Sequence, residues 1–162
     1  MILIVGGAWQ GKLDFAMELA KSAGGVTAVE RKTSFNSLIE NQLDIQKYPS
    51  DSSVSKNEEE YEIAEGSSDS FEAAMKCRII HGLHEYIRRL LKEGKSVDAF
   101  LKAIQEQNPD VIITINELGC GIVPLDPKDR EWREVSGRAS VRLARTSREV
   151  YRMVCGIGSR IK

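Results

Sequence analysis

The chain has 162 residues, 41% of them apolar and 29% charged, which is enough for one globular domain over residues 1–162 with a core of its own. Lys and Arg number 23 against 24 Asp and Glu, a formal net charge of -1, so there is no global basic field and nucleic acid is a poor partner. Cys77, Cys120 and Cys155 are too few and too far apart for a disulfide framework or a paired-cysteine metal site, and the apolar start is too short for a signal peptide or membrane span; the expectation is a soluble, cytoplasmic protein.

Met1 to Val5 is an apolar run rich in β-branched residues and ended by Gly6-Gly7, the pattern of a strand buried on both faces of a parallel sheet. From Lys12 to about Ser22, Leu13, Phe15, Ala16, Leu19 and Ala20 recur at helical spacing, and Gly24-Gly25 stops that helix. Val26 to Val29 reads as a second strand and Asn36 to Leu43 as a short helix at most. The polar, serine-rich stretch 49–58 reads as a mobile loop. A strand over Tyr61 to Ala64 ends in Glu65-Gly66. Asp69 or Ser70 then caps a long helix, Phe71 to Lys92, with an apolar stripe of Ile80, Leu83, Ile87, Leu90 and Leu91.

Val97 to Gln107 follows as a short amphipathic helix stopped by Asn108-Pro109. Val111 to Ile115 is an unambiguous strand, leading into Asn116-Glu117 and a loop with Gly119, Gly121, Pro124 and Pro127. An arginine-rich helix runs from about Asp129 to Thr146, and Val150 to Cys155 is the last strand. Strands alternating with helices predict an α/β fold of three layers, with a mostly parallel sheet covered on both sides.

Gly6-Gly7-Ala8-Trp9-Gln10-Gly11-Lys12 satisfies G-x-x-x-x-G-K between a buried strand and a helix, the setting of a phosphate-binding loop. Successive backbone N–H groups there converge on an anion, the helix N-terminus adds partial positive charge, and the lysine, expected exposed at the loop mouth, reaches the outer phosphates. The plainer alternative is a glycine-rich turn with a surface lysine. After the lysine the motif asks for a hydroxyl that holds Mg²⁺, and this chain has Leu13.

Ligands of open parallel sheets collect beyond the carboxyl ends of the strands. Glu65 ends one candidate strand and Glu117 lies just beyond another, so each is a candidate to hold Mg²⁺ or take a proton from an attacking hydroxyl, against the reading of two exposed loop carboxylates. His81 and His84, with Arg88, read as one flank of the long helix, more often solvated than metal-binding. Arg130, Arg133, Arg138, Arg142 and Arg145 form a cationic stripe whose reading as a solvated face or subunit contact stands ahead of phosphate binding.

Three stretches together resemble the bifunctional adenosylcobinamide kinase/adenosylcobinamide-phosphate guanylyltransferase family. IVGGAWQGK at the start is similar to the family's TGGARSGKS; the others are NELGCGIVP, from Asn116 to Pro124, and REWREVSGRASVRLA, from Arg130 to Ala144, leading to the closing GIGSRIK. The resemblance implies a P-loop NTPase-type fold, a homo-oligomer that is often a trimer, and two reactions late in adenosylcobalamin synthesis. A nucleoside triphosphate phosphorylates the aminopropanol hydroxyl of adenosylcobinamide, and GTP then gives GMP to that phosphate through a guanylylated histidine. It also implies that Lys12 is the phosphate-loop lysine and that Glu65 corresponds to the carboxylate ending the strand before the middle helices.

The departures are Trp9-Gln10 and Leu13 in the loop, and the absence of histidine between Glu30 and Glu60, where the family carries its acceptor. The expected function is therefore an ATP- or GTP-dependent, Mg²⁺-assisted kinase acting on a corrinoid in cobamide synthesis or salvage, with the guanylyl step in doubt. The alternatives are a catalytically degenerate nucleotide- or corrinoid-binding protein and a kinase for another small alcohol.

Overall fold

A computed structural model describes residues 1–23 and 62–162. The expected strand at Val26 to Val29, the short helix at Asn36 to Leu43 and the serine-rich loop at 49–58 lie outside the described residues. The elements run β1 (Ile2–Gly6), α1 (Lys12–Ala23), β2 (Ile63–Glu65), a 3-10 turn (Ala73–Met75), β3 (Ile79–His81), α2 (Leu83–Lys92), α3 (Val97–Gln107), β4 (Ile112–Asn116), a second 3-10 turn (Leu118–Cys120), α4 (Pro127–Thr146), β5 (Glu149–Val154) and β6 (Ile157–Arg160). The strands form one sheet in the order β2-β3-β4-β1-β5-β6. All neighbours are parallel except β5 and β6, which form an antiparallel hairpin.

Alternation along β1 sorts the core into two halves. Ile2 and Ile4 face α1, packing with Ala16, Ala20, Ile79, Ile112 and Met153. Leu3 faces the other way, toward a larger cluster built from α2, α3 and α4, including Leu83, Tyr86, Ile87, Leu101, Ile104 and Leu143. Helices thus cover both faces, as the strand-helix alternation predicts. Local signals set the helix starts: the Ser96 hydroxyl accepts the Ala99 N–H at 3.2 Å, and the Asp126 carboxylate accepts the Lys128 N–H at 2.8 Å with Pro127 opening α4.

The long helix expected over Phe71 to Lys92 is three elements. Ile79 and Ile80 are fully buried on opposite faces of the sheet, which a single amphipathic helix face cannot do and a strand does. The Asn108 amide closes the preceding turn, donating to the Ala74 and Cys77 carbonyls at 3.1 and 2.8 Å. Gly82, at φ +71°, then breaks β3 from α2. The last expected strand, Val150 to Cys155, is β5, and the chain then turns at Cys155 and Gly156, both with positive φ, into β6, an unexpected strand.

β2 and β3 approach most closely where Gly66 donates its N–H to the His81 carbonyl at 2.8 Å, and a Cβ on Gly66 would lie 2.1 Å from the Gly82 carbonyl oxygen. Gly66→Ala therefore forces two backbones apart and should cost about 1 to 3 kcal/mol, the usual range for overpacking. Thermal melts of the variant should show a midpoint lowered by several degrees.

Candidate functional site

The carboxyl ends of β1, β4, β3 and β2 form one edge, and the glycine-rich turn rises from β1 at that edge. Gly6 pairs across the sheet with Asn116 on one side and Met153 on the other, and a Cβ on Gly6 would come within 2.7 Å of the Met153 carbonyl oxygen. Gly11 adopts φ +75°, and Trp9 also lies at positive φ with its side chain fully exposed. The β5–β6 hairpin braces the turn: the Gln10 side-chain oxygen accepts the Cys155 N–H, and Phe15 stacks edge-on against Tyr151 at 5.1 Å.

Lys12 is buried, contrary to the expected exposure at the loop mouth, because its chain folds back over the turn and its Nζ donates to the Gly7 carbonyl at 2.5 Å. Burial lowers its pKa, and the nearby Glu117 carboxylate opposes that shift. An ammonium has three protons, so two remain for an anion in the turn.

The edge does not gather both predicted carboxylates at the loop. Glu117 belongs to it: its N–H donates to the Gly6 carbonyl at 3.0 Å and its Oε2 pairs with Arg152 at 3.3 Å. Glu65 ends β2, three strand spacings from β1, about 14 Å away at ordinary sheet geometry. Its neighbour in register is His81.

The histidines are not one helix flank. His81 ends β3 and His84 lies in the first turn of α2, so both stand at the functional edge. The Thr114 hydroxyl accepts the Gly82 N–H at 3.0 Å and shares a hydrogen bond of 3.0 Å with His81 Nδ1. The Asn116 amide lies 2.9 Å from His84 Nε2, so that nitrogen accepts and Nδ1 carries the proton, buried with no partner among the described residues. Burial, then the charge of Lys12, then His81 press the His84 pKa down to about 4. The ring is neutral at pH 7, and Glu85 Oε1 at 3.6 Å forms no ion pair with it. Trp132 stacks on His84 and donates from Nε1 to its backbone carbonyl at 2.6 Å, while the Arg88 guanidinium lies over the indole, 4.5 Å from its centroid.

Sequence reasoning missed the placement of His81, His84 and Thr114. The available signal was Ile79-Ile80-His81-Gly82, which repeats the form of the first strand: β-branched residues running into a glycine.

The arginine stripe has defined work. Arg130 donates to the Pro124 and Leu125 carbonyls at 3.0 and 2.6 Å, and Arg133 donates to those of Ile122 and Gly119, pinning the loop that follows Glu117. Arg138 and Arg142 pair with Glu134 and Asp98 at 2.5 and 2.8 Å, and Arg145 lines a groove of about 700 Å³ along α4.

A family model described as cobinamide kinase / cobinamide phosphate guanyltransferase matches residues 2–161. Among curated proteins the chain is similar to the bifunctional adenosylcobalamin biosynthesis protein CobU of Salmonella typhimurium, 38% identical over 66 residues. It is also similar to the protein of that name from Escherichia coli K12, 36% identical over 66 residues. The matched stretch spans 41% of this chain and 36%, little more than a third, of each relative.

The neutral, buried His84 has a measurable consequence. Its folded pKa lies below the unfolded value near 6.5, so the unfolded chain binds the proton first and stability is lost as pH falls from about 6.5 toward 4. At about 1.4 kcal/mol per unit, the loss between pH 6.5 and 5, above most carboxylate titration, should be about 2 kcal/mol. Urea unfolding at the two pH values should show that loss in the parent and a much smaller one in His84→Gln.

Proposed function

This chain belongs to the cobinamide kinase / cobinamide phosphate guanyltransferase family, and from that premise we propose that it binds ATP or GTP and phosphorylates the aminopropanol hydroxyl of adenosylcobinamide in cobamide synthesis or salvage. The observation that carries this reading is the buried Lys12 ammonium held across a glycine-rich turn at the carboxyl edge of a parallel sheet. Catalysis is positioning and charge neutralisation: the turn from Gly7 to Lys12 holds the phosphates, and Glu117 is the carboxylate at the loop. Glu65 and His81, paired in register, mark the far end of the edge, where the corrinoid acceptor would approach. Assembly into a homo-oligomer belongs to the same proposal; the fully exposed Ile122 and Leu125 suit a subunit contact. Among the described residues no helix is long and apolar enough to cross a membrane.

A second reading, a family member that binds nucleotide or corrinoid without catalysis, is favoured by Leu13 alone. Following label from the γ-phosphate of ATP or GTP into adenosylcobinamide separates the two. Lys12→Met keeps the buried stem and removes the charge-assisted contacts, worth about 1.5 to 3 kcal/mol. Triphosphate affinity measured by calorimetry should therefore fall about tenfold or more; an unchanged affinity would sink the phosphate-loop reading.

The guanylyl step lacks an acceptor in this proposal. A guanylylated histidine needs a nitrogen lone pair free to attack the α-phosphate. His84 Nε2 accepts from Asn116 and its Nδ1 is buried, and His81, its Nδ1 engaged with the Thr114 hydroxyl, lies outside the segment between Glu30 and Glu60 where the family carries its acceptor. The chain has no other histidine. Incubation with GTP labelled in the α-phosphate should leave no acid-labile label on the protein, and stoichiometric label lost in His81→Ala would refute this.

A further inference from the structure

The groups around the turn suit a polyphosphate anion and do not suit the divalent cation that phosphate loops ordinarily hold, a disagreement that builds on the phosphate-site reading above. Leu13 replaces the ligating hydroxyl, and its side chain packs into the apolar cluster beneath α1. Glu117, the carboxylate at the loop, is engaged by Arg152 at 3.3 Å. Asp69, near the far end of the edge, already accepts the Glu65 N–H at 2.8 Å and the Ser68 hydroxyl at 3.3 Å. β3 ends in His81, whose Nδ1 is taken by Thr114. Among the described residues no three His, Cys, Asp or Glu side chains converge as a metal site.

Donors, by contrast, are plentiful. Lys12 keeps two protons beyond its bond to Gly7, and the turn presents backbone N–H groups. An anion stripped of its counter-ion gains most from fixed donors in a buried setting, where their fields are least screened. We propose that this protein takes its nucleoside triphosphate as the free polyphosphate anion rather than as the magnesium complex, with Lys12 and the turn amides supplying the donors.

Calorimetric titration of the full chain with ATP and with GTP, in EDTA and then in excess Mg²⁺, tests this. The expected result is binding in EDTA as tight as in Mg²⁺ or tighter. Leu13→Ser, at a half-buried position, should turn binding Mg²⁺-dependent. Binding by the parent that is tenfold tighter in Mg²⁺ would overturn the inference and leave the phosphate site standing, whereas no binding in either buffer would overturn both. A Leu13→Ser variant that stays indifferent to Mg²⁺ would also overturn it, because Leu13 would not be the cause.

Discussion

The close approach of three parallel backbones at Gly6 holds the rest of the site in place. With no side chain there, β1 can sit against Met153 of β5 while its carbonyl receives the Glu117 N–H from the end of β4. One glycine thereby fixes where the turn leaves the sheet and which residues stand beside it: Asn116 and Glu117 on one flank, Arg152 and the hairpin turn on the other. Any side chain at Gly6 would push apart strands that approach this closely, and the glycine-rich turn would lose its floor.

Around that floor, the buried Lys12 cation stands with a histidine kept neutral and with the Glu117–Arg152 ion pair. Lys12 depresses the basicity of His84, and the Asn116 amide fills the lone pair that a proton would otherwise take. Trp132 of α4 then stacks on the ring, with Arg88 of α2 over the indole. An imidazole held in this way cannot add a second charge to compete with Lys12. The positive field in the turn is consequently that of the ammonium and the backbone amides, aimed where an anion would enter.

Most of the scaffold was legible in the chain. The first strand, its turn, α1, α3, β4 and α4 announce themselves by long apolar periodicity and by capping or breaking residues, and all appear within a few positions of expectation. The middle was not legible. Ile79 and Ile80 fit an amphipathic stripe with Leu83 and Ile87, and only burial on both faces of a sheet distinguishes a three-residue strand from a helical turn. The carboxylates show the same limit: both end up beyond strand ends, yet strand order puts Glu117 beside the loop and Glu65 three strands away.

The sequence by itself determined the fold class and the presence of a glycine-rich turn with Lys12, because strand-turn-helix periodicity and the spacing of two glycines and a lysine are local properties of the backbone. It also determined that Leu13 brings no hydroxyl and that two histidines are all the chain has. Only the tertiary structure decided that Lys12 is buried, that His81 and His84 stand at the same sheet edge, and that Glu65 does not reach the loop. Those facts depend on which strands lie side by side and on hydrogen bonds spanning some thirty residues of chain, such as Thr114 to His81 and Asn116 to His84. Packing across the sheet sets such pairings, and no run of neighbouring residues encodes them.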